Sequence, residues 1–263
     1  MGKFDGILIA SDWDGTLYFN GQISDENIKA VRYFQKNGGI FTICSGRYLD
    51  FLKQFKNKIL PNTYTLCYNG ALTVDLESND KLYEGFCDEY LFEIIDKLLK
   101  LPVHYTSINI YDDVNSAPTE FSVEEYFTRL EDIKTKRIYK VLFRTDTAEN
   151  GAIGAEMANT LDLRGYIAVR SWEISLEIMK KENAKGAALH RLADAIGAKL
   201  TVGIGDFEND IELIKEADIG YAVENACEKL KAVADRITVH ARNSAVAKVI
   251  HDLECEINSK KQA

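Results

Sequence analysis

The chain has 263 residues, 46% hydrophobic and 28% charged, a balance that suits a globular protein with a sizeable core in one large domain or two moderate ones. Its 41 acidic against 32 basic residues give a formal net charge of -9, which excludes the electrostatic footprint of a nucleic-acid or anionic-membrane binder. Five scattered cysteines, Cys44, Cys67, Cys87, Cys227 and Cys255, contain no C-x-x-C, which argues against a disulfide framework or a cysteine zinc site and makes a reducing cytoplasm the expected location.

The first element is "GILIA", Gly6 to Ala10, an apolar run cut off by a turn signal and therefore expected as a buried strand. It is too short for a signal peptide, and nowhere does the chain reach the roughly 20 apolar residues of a membrane span. The following "SDWDG" presents Asp12 and Asp14 two positions apart. Taken alone such a pair suits a solvated turn, but the C-terminal edge of an open α/β sheet is also where ligands bind. Alternation turns Trp13 to the opposite side, toward packing.

In "ISDENIKAVRYFQKNGG" the spacing predicts a helix: Ser24 can cap it, Ile28, Val31 and Phe34 share a face, and Gly38 can end it in a left-handed turn. "IFTICS" reads as a strand, and "RYLDFLKQFKNKIL" followed by "YTLCYNGA" continues the alternation of a parallel sheet with crossover helices. Over residues 82–179 the pattern changes to helices in "DEYLFEIIDKLLK" and "SVEEYFTRL" and strands in "VHYTSINIY", "IYKVLFRTD", "GYIAVRSW" and "SLEIM". That length is enough for a separate α+β domain. From residue 180 the alternation resumes, through the helix "AKGAALHRLADAIG", the strand "LTVGIG", the helix "ENDIELIKEA", the strand "IGYAV", the helix "CEKLKAVAD", the strand "RITVH" and the closing helix "SAVAKVIHDLECEI". The expected fold is α/β, a doubly wound parallel sheet (Rossmann-like) from residues 1–81 and 180–263, with an α+β insertion at 82–179.

Four segments that end or follow strands carry the chemistry: "DWDGT", "CSGR", "KENAKG" and "GDFEND". In one sheet the first, second and fourth meet at its C-terminal edge, and the third opens a helix that reaches it. Together they gather Asp12, Asp14, Ser45, Lys185, Asp206 and Asp210. Carboxylates with little histidine select a hard cation such as Mg²⁺, and the ion with Lys185 can neutralise a transferring phosphoryl group. A carboxylate can also be the nucleophile.

These residues resemble the haloacid dehalogenase superfamily of phosphohydrolases. "DWDGTL", "CSGR", "AKGAAL" and "GDFEND" are similar to its four motifs, in order, and the insertion sits where the large cap of that superfamily sits. "YNGA" at Tyr68 to Ala71 and the wording from Lys185 to Leu189 narrow the resemblance to Cof-like sugar-phosphate phosphatases. It implies Asp12 as nucleophile and Mg²⁺ ligand, and Asp14 as general acid and base, its backbone carbonyl also on the metal. Ser45 would bond the phosphoryl oxygen, Lys185 the nucleophile and the transferring charge. Asp206 would complete the metal site, with Asp210 a further ligand or its support. Gly46, Arg47, Asn69 and Asn209 match positions near phosphate or substrate. Two departures stand out: Trp13 replaces a smaller apolar residue, and "IMKKENAKG" lacks the Pro and Gly that commonly precede the lysine, which brings Lys181 into competition with Lys185. Gly186 and the helix beyond it favour Lys185.

Other chemistries have less support. The histidines never form H-x-x-x-H, Glu208 stands where a dinucleotide fingerprint needs glycine, the first loop lacks EF-hand ligands, and there is no P-loop. A phosphomutase is the nearest enzymatic alternative and a non-catalytic phosphate sensor the other. The expected partner is a small phosphate ester, not nucleic acid or membrane. The cap sequence carries no readable substrate code, and the oligomeric state stays open.

Overall fold

A computed structural model describes residues 2–262. The strands, in chain order, are β1 (Ile7–Ser11), β2 (Ile40–Ile43), β3 (Thr65–Cys67), β4 (Leu72–Val74), β5 (Lys81–Glu84), β6 (Tyr105–Asp112), β7 (Thr119–Phe121), β8 (Ile138–Thr145), β9 (Tyr166–Trp172), β10 (Ser175–Lys180), β11 (Leu200–Gly205), β12 (Ile219–Ala222) and β13 (Arg236–Ile237). Every residue of β1 is buried. It lies between β11 and β2, parallel to both, with Ile9 opposite Val202 and Phe41, in a sheet ordered β13-β12-β11-β1-β2. Period-two alternation sends Ile9 to one face, against Phe34, Val246 and Val249, and Leu8 and Ala10 to the other, against Leu189, Leu192 and Leu213. Apolar residues on both faces are what a parallel sheet covered by helices on two sides requires.

Local chemistry explains the helix Asp25–Lys36. The Ser24 hydroxyl accepts from the Asn27 amide at 3.2 Å, Asp25 and Glu26 sit at its positive end, and Gly38 follows at φ 90°. After β2 the helix Leu49–Lys53 is short. The isolated bridge Cys44 to Leu66 carries the core sheet on to β3, which then folds back through an antiparallel sheet ordered β3-β4-β5. The β4–β5 hairpin was not foreseen, and β5 runs across the expected boundary at residue 82.

The insertion forms a second, antiparallel sheet ordered β7-β6-β8-β10-β9. Ile108, Ile110, Val141, Phe143, Leu176 and Ile178 turn one face of it toward the helix Tyr90–Leu99 and its neighbours. The alternate residues, among them Tyr111, Lys140, Leu142 and Glu177, make the other face a polar roof over the strand ends of the core. Where the chain leaves and re-enters the core, buried Asn183 ties the two passages together: its Oδ1 accepts from the Tyr83 hydroxyl at 2.9 Å and its Nδ2 donates to the Gly85 carbonyl at 3.1 Å. All five cysteines are free. Among the described residues no helix is long and apolar enough to cross a membrane.

Candidate active site

The loop after β1 is shaped by its own backbone. The Asp12 amide donates to the Ile204 carbonyl at 2.8 Å, holding the strand end beside β11, and the Tyr18 amide returns to the Trp13 carbonyl at 2.7 Å. Gly15 has φ 76°, and a Cβ there would stand 2.2 Å from Asp206 Oδ2. Glycine is therefore required for the first loop and the fourth to close on each other. Trp13 is fully buried, stacked on Tyr18 and packed against Phe55, so its size goes into the core and not into the site.

Lys185, in the first turn of the helix Lys185–Ile196, sends its ammonium under these loops. Nζ lies 2.5 Å from Asp12 Oδ1 and 2.5 Å from Asp210 Oδ1. Lys181 is exposed, so geometry selects Lys185. The second oxygen of Asp210 accepts from the amides of Asp206 at 3.0 Å and Phe207 at 3.2 Å. Asp210 thereby fastens the turn that holds Asp206.

Asp12, Asp206 and Asp210 each offer an oxygen within 4.8 Å of the others. Burial, followed by the charge of Asp210, pushes Asp12 up to about 7, against the pull of Lys185. Burial and then Asp12 raise Asp206 well above the usual carboxylate range. Burial works to lower Lys185, but the two carboxylates outweigh it and hold the ammonium well above its ordinary value. One ammonium among three carboxylates leaves negative charge that a hard divalent cation would balance, and the oxygen-only donor set fits such an ion.

The second motif supplies the other wall. Ser45 is buried, its hydroxyl accepting from the Arg47 amide at 3.1 Å. Arg47 forks onto Asp14, so the side chain of Asp14 points to this arginine and is not part of the three-carboxylate cluster. Asn69 sits in a left-handed turn at φ 62°, which asparagine tolerates. Its Oδ1 accepts from Asn209 at 3.3 Å, and its Nδ2 donates to Glu177 Oε2. Gly46 is packed closely: a Cβ would lie 3.1 Å from Asn69 Oδ1 and 3.2 Å from Lys140 Nζ. Asp12, Asp14, Ser45, Gly46, Arg47, Asn69, Lys185, Asp206, Asn209 and Asp210 therefore lie in or beside one cleft.

Sequence reasoning missed what the inserted sheet contributes. Lys140 and Glu177, both almost wholly buried, pair at 2.8 Å, and Ser171 donates to the same Glu177 oxygen at 2.7 Å. With Asp12, Asp14, Arg47, Asp206 and Asn209 they line a cavity of about 430 Å³. Arg170 reaches Glu208 at 2.7 Å and ties the insertion to the fourth loop, as Glu177 ties it to Asn69. The available signal was a single charge inside an otherwise apolar strand, in "IYKVLF" and in "SLEIM".

The profile of the haloacid dehalogenase-like hydrolases matches residues 9–250. YxeH of Bacillus subtilis is 30% identical, covering 94% of this chain and 97% of that protein. YcsE of Bacillus subtilis, named a 5-amino-6-(5-phospho-D-ribitylamino)uracil phosphatase, is 29% identical, covering 92% of this chain and 94% of its own. A solved haloacid dehalogenase-like hydrolase from B. subtilis shares the fold with a TM-score of 0.77 at 23% identity, over 93% of this chain and 98% of the other. A profile match of this extent, together with whole-length relatives of the same kind, makes the chain a phosphatase of the haloacid dehalogenase-like hydrolase family.

Proposed function

We propose that this phosphatase hydrolyses the phosphate monoester of a small sugar or polyol, with Mg²⁺, through a phosphoaspartyl intermediate on Asp12. The observation that carries this reading is the ammonium of Lys185 bridging Asp12 and Asp210 at 2.5 Å each, at the floor of a polar cleft. Asp12, Asp206 and Asp210 would hold the ion, with the backbone carbonyl of Asp14, and the ion would neutralise charge on the phosphoryl oxygens. Lys185 engages Oδ1 of Asp12, which leaves Oδ2 to attack phosphorus. As that bond forms, the ester P–O bond breaks and Asp14 gives the departing oxygen a proton. Water then attacks the phosphoaspartate, Asp14 takes its proton, and inorganic phosphate leaves with Asp12 restored. Ser45, Gly46 and Arg47 hold the phosphoryl oxygens, while Asn69 and Asn209 orient the ester side.

We take residues 82–179 as the cap that chooses the substrate, and the cytoplasm as the place of action on the strength of five free cysteines. The polar roof of Lys140, Glu177 and Ser171 suits hydroxyl groups, and the name of YcsE describes a phosphorylated polyol. The test is phosphate release from a panel of sugar and polyol phosphates, with Mg²⁺ and with EDTA. Turnover dependent on Mg²⁺ is expected. Release of phosphate by rigorously metal-free protein, or none from any monoester, would overturn the reading.

A further inference from the structure

The roof of the cleft has three ranks, because directly opposed residues of neighbouring strands share a face. Nearest the core, Tyr111 is opposite Lys140. In the middle rank Leu142 is opposite Glu177. In the outer rank Arg144 is opposite Ser175, which is in turn opposite Trp172. The inner two ranks are electrically closed, since Lys140 and Glu177 neutralise each other.

The outer rank is open. Among the described residues the Arg144 guanidinium has no carboxylate within ion-pair distance. Trp172 leaves 62% of its surface exposed, whereas the other tryptophan, Trp13, is 0% exposed. Both Arg144 and Trp172 line the same cavity as Asp12. An exposed indole gains by covering its face with another flat ring, and a guanidinium beside it can donate to ring carbonyl oxygens. A second phosphate would leave the indole face unused and would meet a single cation.

We propose that Arg144, Ser175 and Trp172 form a subsite for a planar, hydrogen-bond-accepting ring carried at the far end of the phosphorylated sugar or polyol. This rests on the phosphomonoesterase reading above and narrows its substrate class. The sugar or polyol lies under the inner ranks, and the phosphate reaches Arg47 and Asp12. A cavity of about 430 Å³ falls in the range that holds ligands of this extended kind.

Uridine 5′-monophosphate carries uracil where ribose 5-phosphate carries its anomeric hydroxyl, which makes the two a matched pair of probes. In the wild type with Mg²⁺, kcat/KM for the nucleotide is expected to exceed that for the sugar phosphate by roughly tenfold or more, the usual reach of one stacked base. Trp172→Ala brings this ratio near one, Trp172→Phe retains most of it, and Arg144→Gln lowers it several-fold, chiefly through KM. A wild-type ratio of one or less, or a ratio unmoved by Trp172→Ala, overturns the subsite. Should neither ester be hydrolysed, the phosphatase reading fails for them, and the subsite is still read by fluorescence. The nucleotide quenches the solvent-exposed tryptophan emission, and Trp172→Phe removes that response; absence of quenching in the wild type overturns the subsite independently of turnover.

Discussion

Arg47 grips Asp14 with both arms of its guanidinium, Nε to Oδ2 at 2.7 Å and Nη2 to Oδ1 at 2.8 Å, while its flat face lies 4.5 Å from the Phe51 ring. The hydrogen bonds to Asp14 raise the arginine above its ordinary pKa, so it remains a fixed cation at the cleft. On the proposed mechanism, a phosphate dianion entering that cleft would compete with Asp14 for the same fork.

Arg47→Lys keeps the charge but loses the planar two-point grip. We expect KM for the phosphate ester to rise about tenfold while kcat changes much less, as for a contact equally strong in ground and transition states. Steady-state kinetics decide; a fall in kcat with KM unchanged would mean that Arg47 acts on the transition state alone.

Asp14→Asn removes the proposed proton donor without changing shape. In single-turnover measurements the first step should slow by about 10²- to 10⁴-fold for a sugar phosphate and far less for p-nitrophenyl phosphate, whose leaving group needs no proton. Equal slowing for both esters would leave Asp14 a positioning group.

Asp12→Asn should cut turnover to below about a thousandth of wild type, as expected on removal of a nucleophile, and should also change how stability follows pH. Burial and the charge of Asp210 push Asp12 up to about 7 in the folded chain, against about 3.9 for an unperturbed carboxylate when unfolded. Between those values the folded state holds the extra proton, so Asp12 lowers stability as pH rises through that window, and the loss persists above it. Asparagine has no such term. In EDTA, the Tm of Asp12→Asn minus that of wild type should therefore grow as pH rises from about 4 to 7, and relief of Asp206, which Asp12 holds above the usual carboxylate range, adds to the difference at higher pH. Mg²⁺ should shrink the difference at pH 7.5 by binding the wild-type carboxylates. A difference independent of pH would refute this account.

Lys140→Met strands Glu177 in a buried site and should cost about 3–5 kcal/mol, the usual penalty for breaking a buried pair. Pairing it with Glu177→Leu should recover much of that loss. Denaturant unfolding of the two single variants and the double variant closes the cycle; additive losses would show that the two charges are not coupled.

Much of the site was legible because each motif pairs a chemical group with a strand end or helix start. Asp12 and Lys185 are far apart in the chain, yet strand and helix punctuation brings both to one sheet edge. Lys140 and Glu177 were not legible in the same way, since a lone charge in a strand does not say which neighbour neutralises it. The helix Ala148–Ala158 was also missed, for a different reason. Gly151 and Gly154 depress its helix propensity, but a Cβ on Gly151 would come within 2.3 Å of the Glu173 carbonyl, so close packing of the helix demands the glycine. Likewise the β4–β5 hairpin is made of very short strands, whose pairing depends on β3 being beside them.

The knot at Asn183 has a consequence for how this molecule can be rebuilt. The passages out of the core and back into it are joined through one buried amide, at 2.9 Å to Tyr83 and 3.1 Å to Gly85. Two chain ends that already touch can be sutured by a tight turn, so excising the whole inserted lobe leaves no span to bridge. The same adjacency puts both cuts for exchanging the inserted lobe at one seam, marked by Asn183, and such an exchange has to replace the contacts that Glu177 and Arg170 make with Asn69 and Glu208.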